Sequence, residues 1–326
     1  MMRFVLWLAA SALLLEAVCV KDMTGKELCV NQPPQRIAIT CYGGAAQEVA
    51  LFAGAKAIMA QPEASRFKEF LTLFPSLGSI PSAGSFGDVN LEHLLKLKPD
   101  LVFAGVTSEA MNRRIEAMGI PVYTLGIGRH NLKTLMNEFE SVAILLGDAN
   151  KGVMLKTYWQ EKLLWIAARL EGVKVRKRVL YTNAAFSSEN KAWWGDTFIN
   201  ASGGLNVAAE MPFKGEVSAE KLALWDPDAI VVSTNSKTAV PLQKTLDSKR
   251  YASLRAVREG HVYPAPVGTF WWDRPSPESI LGILWLSKKL YPQRFADFDL
   301  EAECRSFYKT FYNRNIDHAQ FLRFST

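Results

Sequence analysis

Histidine is scarce in this chain: there are four in 326 residues, none at the spacing that lets imidazoles share a metal ion. No ordinary His/carboxylate metal site can be assembled from them. Cysteine is scarce too. Cys19, Cys29, Cys41 and Cys304 form neither a CxxC pair nor a Cys/His cluster, which argues against structural zinc. The motifs GxSxG and HExxH are absent, and no loop gathers Asp and Glu, so the residues of common hydrolytic chemistry are missing. Neither GxxxxGKS/T nor GxGxxG occurs, which leaves no standard phosphate loop. Basic residues never run longer than the stretch Lys174 to Arg178, and a net charge of +6 is mild. No nucleic-acid interface is expected from that balance. After the N-terminus, no apolar run is long enough to cross a bilayer.

What is present describes an ordinary globular protein. Hydrophobic residues make up 49% and charged residues 21%, and the length suffices for two α/β domains with their own cores. Met1-Met2-Arg3 precedes an apolar run, Phe4 to Leu15, the size of a signal-peptide core. Residues 1–17 are therefore expected to be an export signal cleaved after Ala17, with the mature protein periplasmic. Glu16 stands where lipoprotein processing at Cys19 needs an apolar residue, which speaks against lipidation. Cys19-Val-Lys-Asp22 and Lys26-Glu-Leu-Cys29 flank the turn Met23-Thr-Gly25 and read as a β-hairpin. Pairing Lys21 near Glu27 sets Cys19 opposite Cys29, within reach of a cross-strand disulfide that an exported chain permits. Cys41 and Cys304 are expected to stay unpaired.

The organising stretch runs from Asp148 to Gly172. Asp148 can cap a helix, no proline interrupts it and Gly172 can end it. Met154, Tyr158 and Trp165 are expected on its buried stripe, with Lys151, Lys156, Glu161 and Arg169 in water. Strand–helix alternation precedes this helix and starts afresh after it. Strands are expected at Arg36 to Thr40, Gly54 to Ile58, Leu101 to Ala104 and Pro121 to Leu125, then at Arg178 to Tyr181, Ala229 to Ser233 and His261 to Tyr263. Ser79 to Asp88 and Asn183 to Trp194 read as loops, and Thr197 to Ala201 as a helix. NLEHLLKLKPDLVFA (from Asn90) and SAEKLALWDPDAIVVS (from Ser218) lie 128 residues apart and repeat one pattern: Glu in the first helical turn, a Pro-Asp stop, a buried strand. The expectation is an α/β fold of two Rossmann-like βα lobes joined by one long helix, with a ligand cleft between them. Its bounds are 18–147, 148–172 and 173–326, the last including C-terminal helices.

Several stretches resemble the helix-hinged (class III) periplasmic substrate-binding proteins of ABC importers for ferric siderophores, haem and corrinoids. They are DMTGKELCVNQPPQRIAI, GDVNLEHLLKLKPDLV, GIPVYTL, NASGGLNVA, WDPDAIVVS, LRAVREGHVYPAP and SPESILGILWLSKKLYP, in this order and spanning roughly Asp22 to Phe295. The resemblance implies export and capture of a solute for a two-subunit inner-membrane ABC permease; the protein itself is expected to be a monomer, not an enzyme, and without a cofactor. It also implies that Tyr42 and Phe86, at strand ends, line the pocket, and that Glu92 and Glu220 match the glutamates that dock onto the permease. The alternative for both glutamates is plain compensation of the helix dipole.

In open α/β sheets, ligands sit outside the carboxyl ends of the strands. The loops leaving those ends carry Tyr42, Ser85-Phe86, Arg129-His130, Trp193-Trp194 and Phe270-Trp271-Trp272-Asp273-Arg274. Aromatic faces and a guanidinium suit a bulky organic ligand with an anionic group. One ring of each Trp pair belongs to the core, which leaves either as the cleft candidate. Arg274 is expected to hold the anionic group of the ligand, with a local Asp273 pair as the competing explanation. His130 reads as a solvated loop residue and His93 as surface. The favoured ligand is a pre-chelated metal, an iron chelate or related complex, with no metal held by protein side chains. The alternative is a small oxyanion such as molybdate; an enzyme ranks below both.

Overall fold

The computed structural model describes residues 17–183, 187–212, 215–233 and 251–325. The expected signal segment, apart from Ala17, and residues 184–186 of the loop after Asn183 lie outside them.

The chain begins with a hairpin, β1 (Val18–Lys21) and β2 (Glu27–Val30), in which Cys19 pairs with Cys29 across the strands and forms a disulfide. Asp22 fixes the turn: its Oδ1 accepts the N–H groups of Thr24 and Lys26, at 2.9 and 3.0 Å, and its Oδ2 accepts that of Thr124 at 3.2 Å. Cys41 and Cys304 are free and buried.

The first lobe is a parallel sheet of β3 (Ile37–Ile39), β4 (Ile58–Ala60), β7 (Leu101–Gly105) and β8 (Val122–Leu125), in the order β4-β3-β7-β8. Helices α1 (Ala45–Phe52), α2 (Lys68–Leu73), α3 (Leu91–Leu97), α4 (Glu109–Ala117) and α5 (Leu132–Leu145) accompany it. The strand expected at Gly54 to Ile58 begins later, because Ala55–Ala57 closes a 3-10 turn after Gly54 at φ +83°. The stretch expected as a loop before Asp88 contains a small hairpin, β5 (Gly84–Ser85) with β6 (Asp88–Val89).

The second lobe is a sheet in which β9 (Arg178–Asn183), β13 (Ala229–Ser233) and β14 (Val262–Pro264) run parallel. β10 (Ser187–Ser188) and β12 (Gly215–Glu216) add antiparallel edges, and β11 (Leu205–Asn206) pairs with β9. Around it lie α7 (Trp194–Ala201), α8 (Ala219–Trp225), α9 (Arg255–Arg258), α10 (Ser279–Leu290), α11 (Leu300–Tyr312) and α12 (His318–Ser325).

The repeat is structural in detail. Asn90 caps α3 by accepting the His93 N–H, and Ser218 caps α8 by accepting the Lys221 N–H. Both helices end on a left-handed residue, Lys98 and Asp226, before Pro-Asp. Each Pro-Asp aspartate then caps the neighbouring strand: Asp100 accepts the N–H of Arg36 at 2.9 Å, and Asp228 that of Arg178 at 2.7 Å.

The connecting helix α6 (Ala149–Arg169) is capped by Asp148, whose Oδ1 accepts the Lys151 N–H. Its buried stripe is Gly152, Leu155, Trp159 and Ile166, whereas Met154 is half exposed and Tyr158 and Trp165 are only partly covered. The expected stripe is thus rotated, because Trp159, read past in the sequence, is the anchor. Its ring meets Phe139 of the first lobe at 5.6 Å and Trp194 of the second at 6.5 Å, and its indole N–H donates to the Pro277 carbonyl at 3.0 Å. The helix is a strut tied into both lobes.

The C-terminal helices also touch both. Arg323 pairs with Glu69, the Arg314 Nε donates to the Leu73 carbonyl at 2.9 Å, and Tyr312 meets Phe74 edge to face. One apolar cluster runs from Ile37 through Trp159 to Phe324, so the lobes share a core behind the cleft. Among the described residues no helix is long and apolar enough to cross a membrane.

Candidate functional site

The strand ends of the two lobes face a common cleft of about 300 Å³. The first lobe supplies Tyr42, Phe86 and Ile127, each just past a strand or in a hairpin turn; the second supplies Trp193, Phe270, Trp271 and Arg274. The lobes approach closely at its back. Gly44, at φ +83° and the N-cap of α1, lies where a Cβ would sit 2.7 Å from the Pro275 carbonyl oxygen, so only glycine fits. The Gly43-Gly44 turn serves this contact.

The Trp pairs divide as chain geometry dictates. Trp193 and Trp271 line the cleft. Trp194 and Trp272, both expected as ligand candidates, are fully buried and belong to the core. Trp194 is the first residue of α7, which starts three residues before the expected Thr197 and turns its ring onto Trp159. The aromatic wall is continuous: Tyr42 lies 6.0 Å from Phe86, and Phe67, which sequence reasoning missed, lies 5.2 Å from Phe270 and 4.7 Å from Trp271.

Arg274, expected as a ligand contact with Asp273 as the competing local partner, is paired with Glu189 and not with Asp273. Its Nη1 donates to Glu189 Oε1 at 2.8 Å, and its guanidinium lies 5.5 Å from the Tyr181 ring centre. Asp273 instead accepts the Tyr181 hydroxyl at 2.7 Å. The Arg274 side chain is only 12% exposed, so it is a structural residue whose edge reaches the cleft. Two further cations sit on the wall. Arg66, unforeseen, lies 5.7 Å from the Tyr42 ring and 5.9 Å from the Trp271 ring; Arg129 lies 4.1 Å from the Trp193 ring. A cation next to an aromatic ring within about 6 Å is the one signal that could have found Arg66, and it is visible only in space.

Behind the wall, besides Glu189 and Asp273, lie the buried carboxylates of Glu278, Glu138 and Glu48. Glu278 accepts from the Thr269 N–H and hydroxyl and from the Phe270 N–H and the Tyr308 hydroxyl, fixing the start of the segment that carries Trp271 and Arg274. Burial raises its pKa to about 7 against those donors. Glu138 accepts the Gly126 N–H at 2.9 Å and lies 2.9 Å from His130 Nε2. His130, expected in solvent, is buried by that contact. Burial, then the charge of Glu138, pushes the Glu48 carboxyl well above the usual carboxylate range. Among the described residues no group of three or more His, Cys, Asp or Glu could hold a metal ion.

Glu92 and Glu220 are exposed and occupy the same position, the second of α3 and of α8. Glu92 pairs with Lys96 at 2.6 Å across one helical turn. His93 is partly covered on the same helix.

A family model described as periplasmic binding protein matches residues 41–267. Over 274 residues, 75% of this chain and 76% of the other, the sequence is 31% identical to the molybdate-binding protein MolA of Haemophilus influenzae. The solved structure of that protein with molybdate superposes at a TM-score of 0.79 and 25% identity, covering 92% of this chain and 99% of it. The structure of Helicobacter pylori CeuE in a nickel–histidine complex superposes at 0.81 and 23% identity, over 95% of this chain and 100% of that one.

Proposed function

The chain belongs to the periplasmic binding protein family, and from that premise we propose that it captures an anionic, bulky metal chelate and delivers it to an ABC permease. The observation that carries this reading is the cleft wall: Tyr42, Phe86, Trp193, Phe270 and Trp271 with Arg66, Arg129 and Arg274 against their rings or beside them. Rings give contact area, and the guanidiniums of Arg66 and Arg129 on that wall favour a ligand with negative charge, Arg274 being already paired with Glu189. These side chains are not the carboxylates and imidazoles that strip and bind a free cation, so the metal arrives already chelated, as a ferric siderophore or a related haem or corrinoid complex.

In this reading the units are 18–147 and 173–326 with the helix region 148–172 between them, and 1–17 is an export signal. Glu92 and Glu220 present one charge per lobe to the two permease subunits. Rim charges of that kind set orientation and on-rate more than affinity.

A second reading, a small oxyanion, draws support from the molybdate-binding relative at 31% identity. Calorimetric titration with a ferric tricatecholate, a ferric hydroxamate, haemin, cobalamin and sodium molybdate separates the two. Binding of a chelate, lost when Trp193 or Trp271 is changed to Ala, supports the first. Binding of molybdate alone overturns it.

A further inference from the structure

Among the described residues, five other than glycine hold a left-handed backbone: Phe86, Lys98, Ile127, Asp226 and Asn313. Lys98, Asp226 and Asn313 are helix C-caps, where that conformation ends a helix. Phe86 and Ile127 cap nothing, and both line the cleft. Ile127 is the harder to explain. A β-branched residue at φ +51° is disfavoured by its own side chain and persists only where its surroundings over-determine it.

The surroundings are specific. Ile127 begins a tight turn, 127–129, and Glu138 of α5 reaches both of its flanks. Its Oε2 accepts the Gly126 N–H at 2.9 Å, and its Oε1 lies 2.9 Å from His130 Nε2, with both side chains buried. The Arg129 N–H closes the turn onto the Gly126 carbonyl at 3.0 Å. The Ile127 side chain fills a slot made by two glycines. A Cβ on Gly105 would lie 1.9 Å from Ile127 Cδ1, and one on Gly43 2.8 Å from Cγ1. On its far side the turn meets the other lobe: a Cβ on Gly128 would come within 3.1 Å of the Trp193 ring, and Arg129 lies over that ring.

We infer that Glu138 is a positioning residue for ligand capture: by bonding the Gly126 N–H and packing against His130 it locks Ile127 in its left-handed conformation, and so sets both the floor of the cleft and the seat of Trp193. The inference rests on the reading of this cleft as the ligand site and adds a rigid, pre-shaped floor to it. Preorganisation of that kind removes the ordering cost that a mobile turn would impose on binding.

The test compares Glu138→Ala with Glu138→Gln, which keeps an oxygen for the Gly126 N–H, and repeats Glu138→Ala in an Ile127→Gly background, where a left-handed φ is free. Affinity is measured with the tightest-binding of the five probes above, and the ligand-free Trp193 environment by fluorine NMR of protein labelled with 5-fluorotryptophan, assigned with Trp193→Phe. Glu138→Ala should move the Trp193 resonance and weaken binding by about tenfold or more, with Glu138→Gln recovering part. In the Ile127→Gly background the same change should cost no more than about threefold, since the two residues are coupled. An unmoved Trp193 resonance, or equal losses in both backgrounds, overturns the inference. If Glu138→Ala does not fold, Glu138→Gln carries the same comparison in both backgrounds. If the wild type binds none of the probes, the functional reading fails, and the ligand-free spectra alone decide the positioning role.

Discussion

Arg274→Ala should cost the protein far more than a ligand contact. The guanidinium is 12% exposed and its partner Glu189 1%, with Nη1 and Oε1 2.8 Å apart. Truncation leaves the Glu189 carboxylate buried, its Oε2 still accepting the Gly195 N–H at 2.9 Å but its charge uncompensated by Arg274. Breaking a buried pair from one side costs about 3–5 kcal/mol, because the remaining charge keeps its desolvation penalty. A chain of 326 residues has an unfolding entropy near 0.7 kcal/mol per kelvin at the midpoint, so Tm should fall by roughly 4–7 °C. Scanning calorimetry at pH 7 measures this directly. Arg274→Ala with Glu189→Ala removes both charges and should recover more than half of the loss. A single variant melting within about 1 °C of wild type, or a double variant no more stable than the single, refutes the reasoning.

Three further outcomes are expected. A thiol count on unreduced, denatured protein should return the two thiols of Cys41 and Cys304, and four would exclude the Cys19–Cys29 bond. Glu278 is held near 7 rather than its ordinary 4.5, so the stability it supports is complete below about 4.5 and is lost as pH rises through 7, by roughly 3 kcal/mol; melting curves of Glu278→Gln should flatten over that window, and profiles parallel to wild type would contradict this. Reversing Glu92→Lys and Glu220→Lys together should abolish uptake in cells while purified protein keeps its affinity; normal uptake would return both residues to helix-dipole compensation.

The parts of the fold that were legible in the sequence are local or periodic. The hairpin register followed from Met23-Thr-Gly25, and the two capped helices with Pro-Asp stops announced a repeated unit whose aspartates both cap a neighbouring strand. Tyr42, Phe86, Trp193 and Trp271 reached the cleft because strand ends are where loops open, whereas Trp194 and Trp272 went to the core. What was missed depends on contacts distant in sequence. The true stripe of the connecting helix turns on Trp159, which binds Phe139 and Trp194 from opposite lobes. His130 looked solvated although Glu138 is nearby in the chain, because only the fold of the turn before α5 brings the two together. Arg274 read as a ligand contact with Asp273 as the rival beside it, whereas its partner Glu189 lies 85 residues away.

The most direct test of the central claim is a native mass spectrum of the protein recovered from the periplasm of cells that make it. One bound organic molecule carrying the isotope pattern of a metal is expected, released on denaturation as an intact chelate. A bare tetrahedral oxyanion in the cleft, with no organic component, would contradict it.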